Sequence, residues 1–473
     1  MIRNGLIIYI PEVISDAGWS DRMINFLTLV SRFTILIWLS LFAYEGFLSI
    51  SDKNTPERRR GRQTRQVIYT FLIFLNAMAV IFFNASGEAA KEGEMPDNIK
   101  DLFLLCIGLV VIILFFLVFN KLISGLSVVF TNFCVILLVT GFFMQTRLDN
   151  TRAFRQMLFA LASIPIAAVF IFVMPYLKAN RYLAIIAAVL GIVLLLAVLV
   201  IGKTTYGAKL NITIGPVTLQ PSEFVKILFV YFIAVLLYLD SSLKGIITAS
   251  ALSIAHMLIL VMSRDLGNAA IFFIIYLIML YAATGRYEWL LVGLAIAAVA
   301  LFVAYFALHH VRVRFMAWAD PLSYPDNEAY QLCQSLFAIG TGGWFGSGLT
   351  MGMPTRIPLA HSDFIFASIA EEMGVLFSAV LILIYAGIFI LTLKPSFGRE
   401  SRFLRLFSIG LAVSFASQTF IMIGGVIRLI PSTGVTLPLV SYGGSSLISS
   451  MIIFGCIQGI YRLSEREEAV VYG

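Results

Sequence analysis

The chain has 473 residues, 60% of them hydrophobic and only 12% charged, against the roughly 25% charged content of an ordinary soluble domain, which excludes a soluble enzyme or binding module. Its net charge of +7 is what Lys- and Arg-rich cytoplasmic loops give a membrane protein, and no nucleic-acid partner is read from it. Repeated apolar runs near the roughly 20 residues a helix needs to cross a bilayer, without the alternation of a barrel, predict an all-α polytopic integral membrane protein.

Thirteen spans are predicted, near residues 26–47, 67–84, 102–119, 127–144, 157–175, 182–201, 222–238, 246–262, 268–283, 289–308, 370–393, 404–422 and 447–462. Met1 to Arg22 lacks a basic start followed by a small-residue cleavage site, so no cleavable signal peptide is expected. Arg58, Arg59, Arg60, Arg62 and Arg65 follow the first span, Lys178 and Arg181 the fifth, and Lys394, Arg399, Arg402 and Arg405 the eleventh. Alternating spans place all of these on one side, which the positive-inside rule makes the cytoplasm. The connections at 202–221, 309–369 and 423–446 then face outward, as does 145–156, whose Arg147, Arg152 and Arg155 run against the rule. Cys106, Cys134 and Cys456 lie in apolar runs and Cys333 in a polar stretch, which gives no disulfide or zinc framework.

Several outward residues are candidates for chemistry. Glu223 and Lys226 in "QPSEFVK" share a helix face, placed to touch an anionic ligand or to pair with each other. Arg264 and Asp265 form a short turn that reads equally as a local ion pair, and the solitary mid-span His256 reads as an interhelical hydrogen bond. The connection at 309–369 is predicted to be long and irregular, a form that is commonly functional. It opens with "HHVRVRF", whose Arg312 and Arg314 suit phosphate oxygens or anionic headgroups, and passes through the acidic "ADPLSYPDNEAYQ". "GTGGWFGSG" then supplies tight backbone turns. In the closing "HSDFIFASIAEEMG", His361 and Asp363 are placed to bond a sugar or ligate a metal. Glu371 and Glu372 are placed to line a polar cavity, because acids entering a span must face away from lipid. Lys209 and Arg428 add outward cations. "SYGGSS" at 441–446 lacks the spacing of a nucleotide phosphate loop and reads as a tight re-entry in which Ser441 and Ser445 satisfy freed amides.

The runs "LQPSEFVK" (219–226), "RDLGNA" (264–269), "AYQLCQSLFAIGTGGWFGSGL" (329–349), "HSDFIFASIAEEMG" (361–374) and "IPSTGVTLPLVSYGGSSL" (430–447) together resemble, in order and spacing, the signature segments of the FtsW/RodA/SpoVE or SEDS family of bacterial cell-wall synthesis. The resemblance covers about residues 125–465 and implies a ten-span core, 126–473, carrying the large external loop 309–369 and preceded by a three-span extension, 1–125. "RAFRQ" is similar to the family's first external loop, which reconciles the arginines of 145–156 with the topology. The implied activity is polymerisation of glycan strands from lipid II, a disaccharide-peptide on an undecaprenyl diphosphate carrier, at the outer face of the cytoplasmic membrane. A transpeptidase of the penicillin-binding class is the implied partner, alongside membrane lipids.

Such a transfer needs a base for the attacking sugar hydroxyl, cations for the departing diphosphate and an apolar groove for the polyprenyl tail. The resemblance places Lys209, Glu223, Lys226, Arg312, Arg314, His361, Asp363, Glu371, Glu372, Arg428 and Ser441 around the substrate. It implies no cofactor beyond a divalent cation, whose requirement stays open. The family's catalytic aspartate is expected six residues before Tyr330, where this chain has Tyr324, and a phenol with a reference pKa near 10 is a poor base at neutral pH. Asp326 is therefore favoured as base over Asp320. Tyr324 also leaves open a catalytically inactive scaffold for the transpeptidase, and a lipid-linked precursor transporter is the second alternative.

Overall fold

The computed structural model describes residues 19–50, 55–92, 98–205, 208–214, 217–325, 329–396 and 401–472. Thirteen helices in it are long and apolar enough to span a membrane, as the hydropathy pattern predicts. They are α1 (Trp19–Ile50), α2 (Pro56–Glu92), α3 (Asn98–Phe116), α4 (Val128–Leu148), α5 (Asn150–Val173), α6 (Arg181–Ile201), α7 (Pro221–Leu239), α8 (Leu243–Met262), α9 (Leu266–Thr284), α10 (Glu288–Ala307), α13 (Ile365–Leu393), α14 (Arg402–Val426) and α15 (Gly444–Tyr472). Two shorter helices, α11 (His309–Ala319) and α12 (Tyr330–Gly342), occupy the long connection.

Burial differs sharply among spans that hydropathy makes look alike. Nearly all of α4 is buried, whereas no residue of α10 is. The first three helices share one apolar core with the rest. Phe133 of α4 packs against Phe42 at 5.7 Å and Phe47 at 6.1 Å, and Asn132 donates to Gln66 Oε1 at 3.1 Å. Close helix contact elsewhere depends on small residues: a Cβ on Gly455 of α15 would lie 2.5 Å from the Ala167 carbonyl of α5.

Three expectations need correction. The connection at 309–369 carries two helices, α11 and α12, and stays irregular mainly over 343–364. The predicted loop at 145–156 shrinks to one residue, because Asp149 caps α5 by accepting from the amides of Thr151 and Arg152 and so starts that span seven residues early. The connection at 202–221 holds a small antiparallel meander, β1 (Lys203–Thr205), β2 (Ala208–Ile214) and β3 (Val217–Leu219), with Lys203 opposite Asn211 and Ile212 opposite Leu219.

The α4–α5, α6–α7, α8–α9, α10–α13 and α14–α15 connections gather at one end, here called the long-loop end, and Arg58, Arg59, Arg60, Arg62 and Arg65 of α2 lie at the other. At the long-loop end α13 is broken at Gly374 (φ 86°, ψ 170°), a conformation open only to glycine. The glycine-rich stretch after α12 satisfies the backbone groups the break frees. Ser347 N donates to Glu371 O and Gly348 N to Glu372 O, both at 2.9 Å, while Val375 N returns a bond to Gly343 O at 2.9 Å. Residues 427–443 also re-enter the bundle, where Leu437, Leu439 and Val440 are buried and Tyr385 Oη donates to Pro438 O at 2.7 Å.

Candidate active site

Pro221 at the first turn of α7 and the bond from Gln220 N to Ser445 Oγ (2.9 Å) fix where that helix starts. Glu223 and Lys226 consequently point inward one turn apart, 2% and 1% exposed, with Nζ 2.9 Å from Oε2. A buried ion pair holds only if its remaining donors and acceptors are also met. Here Ser449 donates to Glu223 at 3.0 Å, Lys226 also bonds Gln418, and Gln418 donates to Thr436 O at 3.1 Å. The pair thus ties α7, α14 and α15 to the re-entrant segment.

Beside it, Asp265 caps α9, taking the backbone amide of Asn268 at 3.2 Å and its side-chain amide at 2.9 Å, with Ser222 Oγ at 3.4 Å. Burial pushes the Asp265 carboxyl above its usual range, against the pull of Asn268. Arg314, from α11, donates to Thr433 O at 3.3 Å. Burial lowers its pKa, and the opposing charges of Asp265 and Asp363 raise it. Asp363 is likewise raised by burial, with Ser362 and Arg314 acting the other way. Gly434 (φ 75°) brings the re-entrant backbone close to this acid, a Cβ there lying 3.4 Å from Asp363 Oδ2. One cation with two protonatable acids therefore sits where α9, α11, the head of α13 and the re-entrant segment meet.

His361 adjoins the group. Its Nδ1 meets Arg152, and its carbonyl accepts from Gln145 Nε2 and Tyr442 N at 2.8 Å each. Burial first, then Arg152, pushes the ring down to about 4, so it is neutral near pH 7. Ser441 Oγ accepts from Leu437 N at 2.8 Å and donates to Ser362 O at 2.6 Å, which stitches the re-entry to the same segment.

Other sequence candidates lie apart. Lys209 donates to Leu199 O at 2.9 Å, at the last turn of α6. Arg312 is exposed, donating to Phe306 O at 3.2 Å and facing the Tyr305 ring. Arg428 holds the end of α11 through Trp318 O (2.9 Å) and Ala319 O (2.7 Å). Glu371 takes Met353 N at 2.8 Å and Glu372 takes Arg147 Nε at 3.0 Å, so both brace the glycine-rich stretch. Asp320 is exposed and takes Ser323 Oγ at 2.6 Å in a local turn, and Tyr324 is 39% exposed. Asp326 lies outside the described residues.

The sequence reading missed Gln418, Ser449, Asn268 and His310. The first three look like ordinary polar residues of a span, and only the fold puts them around a charge. Asn268 in "RDLGNA" and His310 in "HHVRVRF" carry no local signal that sets them apart from their neighbours. The His310 ring has its Nε2 buried without a hydrogen-bond partner, and its pKa is lowered by burial and by Arg264, Arg314 and His309. Among the described residues no three His, Cys, Asp or Glu side chains group to hold a metal.

The profile of the FtsW/RodA/SpoVE cell cycle proteins matches residues 143–466. The chain belongs to this family. It is 34% identical over 331 residues to the peptidoglycan glycosyltransferase RodA of Mycobacterium bovis, covering 65% of this chain and 69% of that one. It is 34% identical over 307 residues to a probable peptidoglycan glycosyltransferase FtsW of Aliivibrio salmonicida, covering 62% and 76%. The fold is shared with a chain of a peptidoglycan synthase complex studied for coordination of polymerization and crosslinking, with TM-score 0.61 and 24% identity over 72% of this chain and 98% of that one. RodA of Thermus thermophilus has TM-score 0.53 at 22% identity, covering 72% and 97%.

Proposed function

We propose that this SEDS-family protein is a peptidoglycan glycosyltransferase that polymerises lipid II at the outer face of the bacterial cytoplasmic membrane, beside a penicillin-binding transpeptidase. The observation that carries the reading is that Arg314 lies within electrostatic reach of both Asp265 and Asp363 at the long-loop end. In the reaction, the 4-hydroxyl of one disaccharide attacks C1 of another, the C1–O bond to the diphosphate breaks, and the hydroxyl proton passes to a carboxylate. Arg314 is the cation for the departing diphosphate, because a guanidinium fork matches phosphate oxygens. Asp363 is the proton acceptor: burial keeps its pKa above the usual carboxylate range and closer to working pH, as general-base catalysis requires. The long-loop end is the extracytoplasmic one, since the arginines at 58–65 mark the other as cytoplasmic.

The test incubates purified full-length protein, with and without its transpeptidase, with labelled lipid II. Glycan ladders that disappear in Arg314→Ala and Asp363→Asn support the reading. Ladders lost in Asp326→Asn but kept in Asp363→Asn move the base to the 319–331 stretch. No ladder under any pairing leaves the scaffold reading, which Tyr324 motivates.

A further inference from the structure

Between Ile24 and Ile50, α1 carries two charged side chains, Arg32 and Glu45. Glu45 is answered at the arginine-rich end by Arg65 at 2.8 Å and Arg62 at 3.5 Å. Arg32 has no carboxylate within ion-pair distance among the described residues. Its Nη1 instead donates to the carbonyl of Gly346 at 3.1 Å, and its guanidinium lies 4.8 Å over the ring of Phe33, which packs on Phe345 at 5.4 Å. An arginine inside a span is costly enough that its partner points to a role, and this partner is the glycine-rich stretch of the core.

A second helix of the extension reaches the same stretch. Asn84 of α2 donates to Thr350 Oγ1 at 2.5 Å. The bond borders a cavity of about 150 Å³ that Ile81, Ala85, Thr146 and Arg147 also line. Residues 345–350 are thus held by the extension on one side and by the break in α13 on the other. Glycine-rich backbone loses more entropy than any other when fixed in one conformation. At the break, Glu371 Oε2 and Glu372 Oε2 are buried without partners. The half of α13 above the break begins at Ile365, two residues after Asp363.

We propose that the three-helix extension is a built-in clamp. Arg32, Phe33 and Asn84 fix residues 345–350 against the break in α13 and so set the position of Asp363 relative to Arg314. They are positioning residues that touch no substrate. The clamp's effect on turnover rests on the polymerase reading, whereas its effect on the glycine-rich stretch does not.

The test uses the full chain in lipid nanodiscs and compares Arg32→Ala, Arg32→Lys, Phe33→Ala and Asn84→Ala. Asn84→Ala removes one bond beside an existing cavity, so it tests the idea even if Arg32→Ala folds poorly. Amide hydrogen exchange at 345–350 is expected to quicken about tenfold, the scale of one lost hydrogen bond. With lipid II as substrate, kcat is expected to fall about three- to tenfold at constant KM, as for a small misplacement of catalytic groups. Arg32→Lys, which keeps a donor for Gly346 O, is expected to restore most of both. Unchanged exchange overturns the clamp. Quicker exchange with unchanged kcat overturns its role in turnover, and an effect confined to KM makes these residues substrate contacts. If the unaltered chain makes no polymer, the polymerase reading falls while the exchange result still decides the clamp.

Discussion

The two ends of the bundle are built by different rules. All five described non-glycine residues with positive φ, namely Arg264, Thr350, Leu359, Arg428 and Leu439, lie at the long-loop end, and each such residue costs about 1–2 kcal/mol. At the other end the described positive-φ positions are Gly125 and Gly285, both glycines, which adopt that conformation at little steric cost. Charge follows the same division. Glu223, Lys226, Asp265, Glu371 and Glu372 are buried at the long-loop end, whereas Arg65, facing Glu45 at the other, is 47% exposed. Backbone strain and buried charge collect at the end where the proposed site lies, as they commonly do at functional sites.

If that division is functional, damage should be unequal. The largest expected effect is on catalysis: Asp363→Asn lowers the initial rate of polymer formation by about 10²–10⁴-fold, the range for a lost general base, while Arg65→Ala leaves it unchanged. Equal rates for the two variants would break the comparison. Next comes stability. Lys226→Ala strands Glu223 in the bundle and is expected to cost about 3–5 kcal/mol, read as a lowered unfolding midpoint in detergent. Arg65→Ala, whose own side chain is half exposed and whose partner Glu45 keeps Arg62 at 3.5 Å, is expected to cost less, about 0–1 kcal/mol.

Much of this architecture was legible in the sequence because apolar length is a local signal, and all thirteen spans follow from it. The start of α5 was missed by seven residues because "LDN" hides a capping aspartate between two apolar runs. Helices α11 and α12 were missed because a charged, glycine-bearing connection has no long apolar stripe. At the site, the spacing of Glu223 and Lys226 announced a shared helix face. That the pair needs Gln418 and Ser449, from helices some 200 residues away in sequence, is a fact of packing that no local pattern carries. Likewise "GTGGWFGSG" announced turns, but the break at Gly374 that those turns repair becomes visible only when the two segments lie side by side.

That break sharpens the comparison at a single residue type. Gly374 and Gly285 both have positive φ, 86° and 68°. A Cβ on Gly285 meets nothing within 4 Å, whereas one on Gly374 would lie 2.3 Å from Gly346 N. Gly285→Ala is expected to cost about 1–2 kcal/mol of backbone strain. Gly374→Ala adds overpacking of about 1–3 kcal/mol and displaces the glycine-rich stretch, with quicker hydrogen exchange at 343–348. Matching unfolding midpoints for the two would show that the stitched break has no special weight.

The smallest effect concerns pH. His361 is pushed down to about 4 from a model-compound value of 6.5, mainly by burial and then by Arg152, with Asp149 opposing. Between those values the unfolded chain holds a proton that the folded chain releases. Stability therefore rises with pH across that window and is lost as pH falls from 6.5 toward 4. Asp265 and Asp363 act in the opposite sense, since raised acid pKa values make the folded chain the better proton binder above the usual carboxylate range. The net slope mixes the two, and the difference between variants isolates the histidine. His361→Gln is expected to lose less of its thermal midpoint than the unaltered chain when the buffer is moved from neutral to mildly acidic. Parallel pH profiles would mean that the imidazole binds its proton as readily in the fold as in the unfolded chain, so that neither burial nor Arg152 holds it neutral.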